Sequence, residues 1–183
     1  MVNRLASDFV EMVLCGEGAD ELFAGYDFLG ALPPEKLADE LDRLREELPD
    51  GGMQRVDRLA HAHGLEPRVP FLAPAIVSLA LAMPPGIKIG PGGQEKWILR
   101  RAVEELLPAA IVERRKEKFS VGCGSGEVLA RIFAERIGDS EFLKEKTLPN
   151  GTELRSKEEL HYYRLFREEF GEALLPLVGR TET

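Results

Sequence analysis

The sequence is poor in cysteine and has no long hydrophobic run. Its 183 residues contain two cysteines, Cys15 and Cys123. We expect two reduced thiols, with a single disulfide as the alternative. No stretch reaches the ~20 consecutive apolar residues that a membrane-spanning helix needs, and the first residues, MVNRLASDFVEMV, lack the uninterrupted apolar core of a signal peptide. These absences predict a cytoplasmic protein with no membrane partner.

The sequence also has fewer basic than acidic residues. The chain has 24 Lys and Arg against 32 Asp and Glu, a net charge of -8. This balance disfavours nucleic acid or an anionic membrane surface as the main partner. Hydrophobic residues make up 44% of the sequence and charged residues 31%, so a chain of this length can bury a core. We therefore expect one domain over residues 1–183.

Strand patterns are nearly missing, and helical patterns fill most of the chain. One apolar run of strand length, MVLC, precedes Gly16. Helices are predicted for PPEKLADELDRLREELPDGG with a stop at PDGG, for MQRVDRLAHAHGLE, for residues 74–83, for EKWILRRAVEELLP and for SKEELHYYRLFREEFG, which begins with a capping box of Ser156 and Glu159. A lone buried strand leaves backbone groups unpaired. Either MVLC is not a strand, or its neighbours lie outside this sequence.

Three acidic side chains lie in the glycine-flanked turn LCGEGADELFAGY: Glu17, Asp20 and Glu21. One interpretation is that the acids only favour the start of a helix through its dipole. The other is functional, with Gly16 and Gly18 letting the backbone approach a phosphate, Asp20 binding Mg²⁺ and Glu17 acting in acid–base chemistry. The spacing alone does not separate these interpretations.

The segment DRLAHAHGLEPRVPF holds a second group of titratable residues. His61 and His63 are two residues apart and do not share a helix face, which disfavours a zinc site. Glu66 and Arg68 are either a surface ion pair or part of a buried site. Burial would raise the pKa of Glu66 towards the range of a general base.

Basic residues cluster ahead of a glycine-rich loop. The cluster consists of Arg114, Arg115, Lys116 and Lys118. It is either a solvated helix end, where cations suit the dipole, or a site that receives phosphate or transition-state charge. Lys96 and Arg100, four residues apart in KWILR, are candidates for the same cofactor-binding pocket.

The order of these motifs carries a family resemblance. The segments VLCGEGADELFAGY, DRLAHAHGLEPRVPFL, EKWILRRAVEELLP, ERRKEKFSVG and SKEELHYYRLFREEF follow one another along the chain. Together they resemble the C-terminal part of the synthetase domain of glutamine-hydrolysing asparagine synthetases, a superfamily that includes the β-lactam synthetases. The resemblance covers about residues 11–171. It implies a predominantly α fold, the helical half of an ATP-pyrophosphatase-type synthetase domain, with at most one or two short strands.

The resemblance also implies a chemistry. ATP adenylates the β-carboxylate of aspartate and pyrophosphate is released; ammonia from glutamine then gives asparagine and AMP. Asp20 matches the Mg²⁺ ligand of the family, and Lys116 matches the lysine that stabilises transition-state charge. Glu17 lies where the family has a Glu or, in β-lactam-forming members, a Tyr, and Glu66 matches its acidic partner in base catalysis. ATP and Mg²⁺ are expected as cofactors only in a completed active site.

The sequence departs from the family pattern in several places. The pyrophosphate loop SGGxDS, the adenine-binding strands and the glutaminase domain have no counterpart in these 183 residues. Ala73 replaces the acid that ends the RVPFLD pattern, and Cys15 stands where the family has a serine. The orphan strand then has an explanation, because its neighbours would lie in the missing half.

Two main hypotheses follow. In the first, the chain is one component of a split or truncated ligase, inactive alone, and a complementary synthetase and glutaminase chain completes it. In the second, it is a catalytically inactive remnant that acts as an interaction or regulatory module. A generic helical protein with accidental motif matches is a third alternative. An exposed apolar face where a sheet should pack also predicts self-association.

Overall fold

The structure is a computed structural model that describes residues 2–117 and 119–178. The chain forms two compact units, Met1–Lys116 and Glu117–Thr183. Both are built mainly from helices, and the strands assigned in the described residues are two segments of three residues each. The predominantly α fold is therefore confirmed. One domain over residues 1–183 stays a prediction.

The first unit contains seven of the helices described. They are α1 (Val2–Ala6), α2 (Ala19–Phe23), α3 (Pro34–Glu47), α4 (Gln54–His61), α5 (Pro74–Ala82), α6 (Trp97–Ala102) and α7 (Ala109–Val112), with 3₁₀ helices at Asp27–Ala31, Pro70–Leu72, Pro85–Lys88 and Pro91–Gly93. The α-helix ends at Glu47, just before PDGG, as predicted, and a π-helical turn, Pro49–Met53, leads from α3 into α4. Leu48 and Gln54 keep right-handed helical angles on either side. Pro49 is tolerated because the first turn of a helical segment needs no N–H donor.

A two-stranded parallel sheet lies at the start of the first unit. β1 (Met12–Leu14) pairs with β2 (Glu66–Arg68) in the register Met12 to Glu66 and Leu14 to Arg68. The predicted strand is thus confirmed. The expectation that its neighbours lie only outside the sequence is wrong, because one neighbour comes from GLEPR. The central residue of β2 is Pro67, which cannot donate to a ladder and is typical of an edge strand.

Two apolar clusters hold α2 in place. Leu22 and Phe23 pack against Ala80 of α5, and the ring of Phe23 meets Phe71 edge-on with 6.2 Å between the centroids. The second cluster consists of Ala24, which directly follows α2, and of Leu29, Leu37 and Leu41. Because α2 and the residue after it both pack in the core, the position of the helix that carries Asp20 is fixed.

The second unit has its own small core. Its elements are α8 (Phe119–Gly122), α9 (Ser125–Arg136), α10 (Asp139–Glu145), α11 (Lys157–Phe170) and a 3₁₀ helix, Glu172–Leu177. The main buried cluster consists of Ile137, Leu148, Leu154, Leu160 and Tyr163, and Phe133 of α9 is buried as well. Arg164 on α11 pairs with Glu141 at 2.7 Å and Glu145 at 2.6 Å, and so links α11 to α10.

The N-terminus of α11 is capped as predicted. The side chain of Ser156 accepts the backbone N–H of Glu159 at 3.1 Å, and the Glu159 carboxylate accepts the N–H of Arg155. Cys15 and Cys123 form no disulfide within the described part of the chain. None of the helices in that part has the length and apolar character that a bilayer crossing demands.

Candidate functional site

A short turn leads from β1 into α2 and carries the acidic motif. Gly18 adopts φ 88° before the first residue of α2, and a Cβ built there would lie 2.4 Å from the Leu72 side chain. Gly18 therefore serves the turn and a close approach to Leu72. Gly16 has no atom within 4 Å of a built Cβ, so the space beside it is open.

The carboxylate of Asp20 accepts hydrogen bonds from the side chains of two lysines. Its carboxylate lies 2.9 Å from Nζ of Lys96, and Nζ of Lys116 contacts both carboxylate oxygens, at 2.8 and 2.9 Å. The three side chains, here called the Asp20 cluster, are 22%, 19% and 30% exposed in the order Asp20, Lys96, Lys116. Two ammonium groups facing one carboxylate leave one positive charge in excess. The cluster is thus suited to receive an anion.

Two left-handed residues bring Lys96 to Asp20. Ala24 follows α2 with φ 57°, and Lys96 precedes α6 with φ 54°. The N–H of Lys96 donates to the carbonyl of Ala24 at 3.2 Å, which joins the two strained positions. Such angles are costly for residues other than glycine and are frequent at functional sites.

Gly25 is a further site residue that the sequence analysis missed. A Cβ at this position would lie 1.8 Å from Oδ1 of Asp20 and 2.4 Å from Cε of Lys96. Its lack of a side chain therefore makes room for the ion pair. The available signal was the glycine directly after the helical segment ADELFA.

The predicted basic residues make two kinds of contact, one with the Asp20 cluster and one with backbone carbonyls. Lys116 joins the Asp20 cluster, whereas the Arg100 guanidinium donates to backbone carbonyls, including those of Glu95 and Arg114, both at 2.8 Å. The Arg100 side chain therefore contacts backbone carbonyls close in sequence to the two lysines rather than the carboxylate of Asp20. Lys118, the last member of the predicted basic cluster, lies outside the described residues.

A polar cavity is lined by sequence neighbours of both lysines. It has a volume of about 510 Å³. Glu95 and Arg115, adjacent to Lys96 and Lys116 in sequence, lie in its wall together with Asp27 and the facing glycines Gly30 and Gly93. The cavity falls in the size range of small-molecule sites.

Glu17 and Glu66 lie in different surroundings. Oε1 of Glu17 accepts a bond from Arg55 at 2.9 Å, and Glu17 is 25% exposed. Glu66 is 58% exposed and pairs with Arg68 at 2.6 Å. The surface-pair interpretation therefore holds in this structure, and the buried general-base interpretation of Glu66 does not. No contact joins the two carboxylates within the described residues.

The third acid of the motif is structural. Glu21 is buried, and its carboxylate accepts the hydroxyl of Tyr26 at 2.7 Å. Burial, followed by this bond and nearby carboxylates, raises the pKa of Tyr26. The pKa of Cys15 is also raised, by burial and by the charge of Glu17.

The donors present fit a magnesium ion that arrives with a phosphate. The described residues contain no group of three or more His, Cys, Asp or Glu side chains placed to bind a metal by themselves. Mg²⁺ is often held by one or two carboxylates and by substrate phosphates. Asp20 offers one carboxylate, and its two lysines oppose a bare cation.

Comparison with known proteins identifies the family. The family model described as asparagine synthase matches residues 1–50 and 43–178. The chain is 35% identical to the asparagine synthetase [glutamine-hydrolyzing] of Gallus gallus over 167 residues, 87% of this chain and 30% of that protein. For Brassica oleracea the identity is 35% over 181 residues, 93% of this chain and 30% of that protein. For Rattus norvegicus it is 37% over 168 residues, 87% of this chain and 30% of that protein.

The chain therefore spans about 30% of the length of the curated relatives it matches. The match to the family model extends over both units. The predicted resemblance is confirmed, and the chain belongs to the asparagine synthase family.

Proposed function

We propose that this chain supplies the lysine-bearing part of the active site of an ATP-dependent, amide-forming ligase. In the proposed reaction the β-carboxylate of aspartate attacks the α-phosphorus of ATP and releases pyrophosphate. Ammonia then attacks the acyl-adenylate carbonyl and expels AMP, which gives asparagine. The observation that carries this proposal is the convergence of Lys96 and Lys116 on Asp20, from three segments far apart in sequence.

The proposed roles follow from charge. Lys96 and Lys116 neutralise the negative charge that develops on the phosphates during adenylation, a task for fixed cations in a partly dry site. Asp20 holds both lysines before the nucleotide binds, and its carboxylate would serve as a ligand for Mg²⁺. Bound Mg²⁺ would supply further neutralisation of the phosphates.

Base catalysis is proposed for Glu17 in the assembled enzyme. Its carboxylate is held by Arg55 and is only a quarter exposed, so its position is already defined. Glu66 is exposed and paired with Arg68. We propose that Glu66 joins Glu17 only when further polypeptide covers this surface.

The remaining half of the site is proposed to come from polypeptide outside these 183 residues, carried by a complementary synthetase and glutaminase chain. The two-stranded sheet supports this proposal. Met12 and Leu14 of β1 are 49% and 73% exposed, so apolar surface stays uncovered beside the sheet. Self-association through the same face is the proposed behaviour of the chain when it is studied alone.

The cysteines bear on the compartment in which the chain is found. Two cysteines without a disulfide favour a reducing compartment, and we propose the cytoplasm.

A chimera tests the ligase proposal. This chain replaces the matched stretch of the Rattus norvegicus synthetase, and release of pyrophosphate from ATP is measured with aspartate and ammonia. We expect aspartate-dependent release that falls by roughly 100-fold in Lys116→Met, as for loss of a group that stabilises transition-state charge. Lys36→Met, an exposed change on α3, is the control and keeps full release. The 183-residue chain alone is expected to release none.

The second candidate function is that of an inactive interaction module. The observation in its favour is the exposed Glu66, which pairs with Arg68 and does not contact Glu17. A folded chimera that releases no pyrophosphate, while the unaltered synthetase is active in the same assay, would favour this candidate over the ligase.

A further inference from the structure

The side chain of Arg100 is engaged by backbone carbonyls. Its Nε donates to the carbonyl of Glu95 at 2.8 Å, and its Nη1 donates to the carbonyl of Arg114 at 2.8 Å and to that of Val112. A guanidinium has five donors in a fixed plane and no acceptor, so it suits carbonyls that converge from separate segments. Arg100 therefore ties the chain before α6 to the chain after α7.

These carbonyls lie next to both lysines of the Asp20 cluster. Glu95 directly precedes Lys96, and Arg114 stands two residues before Lys116. After α7 ends at Val112, residues 114–117 belong to no helix or strand. The Lys116 segment thus lacks the hydrogen bonds of regular structure. Its start is held by the bonds from Arg100 and by the N–H of Arg114, which donates to the carbonyl of Ile111 at 3.4 Å.

We propose that Arg100 is a positioning residue that holds Lys96 and Lys116 at Asp20, so that the cationic site is formed before any anion binds. The sequence had suggested direct cofactor binding by Arg100. The backbone contacts assign it a different role, because Nε and Nη1 donate to carbonyls and no described contact joins Arg100 to Asp20. The importance of this role for catalysis rests on the proposed function, but the placement of the lysines can be tested without it.

The neighbouring Arg101 is a matched control. Its guanidinium pairs with Glu104 at 2.6 Å and lies over the ring of Trp97, 5.5 Å from the centroid. The contact with Trp97 adjoins Lys96, but none of these contacts reaches the segment that carries Lys116. Arg100→Gln and Arg101→Gln therefore make the same chemical change at adjacent positions, and only the first removes bonds to the chain that leads into Lys116.

The test is competitive acetylation of the full 183-residue chain with acetic anhydride, followed lysine by lysine with mass spectrometry. Exposed Lys36 serves as the internal reference. We expect Arg100→Gln to raise the acetylation rate of Lys116 relative to Lys36 by about fivefold, the effect of losing an ion pair at the upper end of the surface range. Arg101→Gln leaves this ratio within about twofold of the unaltered chain. Arg100→Lys, which keeps a donor but loses the planar fork, gives an intermediate ratio.

A general loss of stability would also raise the acetylation of buried Lys88 relative to exposed Lys36, so the positioning role requires a rise at Lys116 with an unchanged ratio of Lys88 to Lys36. If circular dichroism shows that Arg100→Gln is unfolded, Arg100→Lys decides by the same ratio. An unchanged Lys116 ratio in a folded Arg100 variant, or an equal rise in Arg101→Gln, overturns the positioning role. Failure of the unaltered chain to bind magnesium pyrophosphate would count against the proposed function and leave the acetylation result untouched.

Discussion

Gly25 determines whether Asp20 and Lys96 can meet. The carboxylate of Asp20 occupies the space that a Cβ at position 25 would need. We expect Gly25→Ala to lower the free energy of unfolding by about 1–3 kcal/mol through overpacking. Urea unfolding of the full chain measures this loss.

Gly86→Ala is the control for this change. A Cβ at Gly86 meets no atom within 4 Å, and Gly86 has no positive φ. Its expected effect on unfolding is neutral or slightly stabilising, because alanine restricts the unfolded chain. Equal unfolding midpoints for the two variants would contradict the assigned role of Gly25.

Lys88 is a buried cation away from the site, 4% exposed, at the end of a 3₁₀ helix. Burial first, and the charge of Arg45 second, lower the pKa of Lys88 below its ordinary value of 10.5, while Asp42 opposes the shift. The folded state therefore binds this proton more weakly than the unfolded state does. Below the lowered pKa the full cost of charging Lys88 acts against folding, and the cost is relieved as pH rises towards 10.5.

Lys88→Met removes this cost. We expect the variant to be more stable than the unaltered chain by about 1 kcal/mol near neutral pH, with the difference shrinking as pH approaches 10.5. Urea midpoints of both chains across this pH range measure the effect. The exposed Lys36→Met should show no such pH-dependent difference. A gain that grows with pH would have the wrong sign.

At the residue scale, motifs in the sequence named Asp20, Lys96 and Lys116 as candidate site residues, and the structure brings these three side chains together. Their roles stay predictions. Gly25 was missed because its importance depends on a tertiary contact with Lys96. The role of Arg100 could not be predicted either. Its acceptors are backbone carbonyls, which every residue carries, so no residue type in the sequence indicates them.

At the scale of elements, helix starts were easier to predict than helix ends. The helix predicted over EKWILRRAVEELLP is reduced to Trp97–Ala102, because Lys96 is left-handed and Val103, with φ -110° and ψ 5°, ends the helix. The apolar periodicity carries no information about these two tertiary constraints. β2 was missed for a related reason: Pro67 argues against a strand, and pairing with β1 overrides that preference at an edge.

The N-cap of α11 is a local interaction, and its contribution to the free energy of unfolding can be measured. Ser156→Ala removes the acceptor for the Glu159 N–H, and we expect unfolding to become easier by about 1 kcal/mol. Ser140→Ala, inside α10 and exposed, is the control and should change stability by less than about 0.5 kcal/mol. Hydrogen exchange of the first-turn amides of α11 in the full chain follows the same change locally. Unaltered exchange in Ser156→Ala would show that the cap does not hold this helix end.

At the scale of the whole molecule, the described residues contain the Asp20 cluster and a two-stranded sheet with exposed apolar side chains. Every residue of the Asp20 cluster lies in the unit Met1–Lys116. The relatives are about three times longer, since the chain covers 30% of each. We therefore expect these 183 residues to bind an anion by themselves, and we propose that amide synthesis requires the assembled enzyme.

The most direct measurement is calorimetric titration of the full chain with inorganic pyrophosphate, with and without Mg²⁺, and with Mg²⁺ alone. We expect magnesium pyrophosphate to bind and Mg²⁺ alone not to bind. Lys116→Met should weaken magnesium pyrophosphate binding by about tenfold or more, the loss of a charge-assisted hydrogen bond, while Lys36→Met binds like the unaltered chain. Equal affinity in Lys116→Met and Lys36→Met, or no binding to the unaltered chain, would contradict the role assigned to the Asp20 cluster.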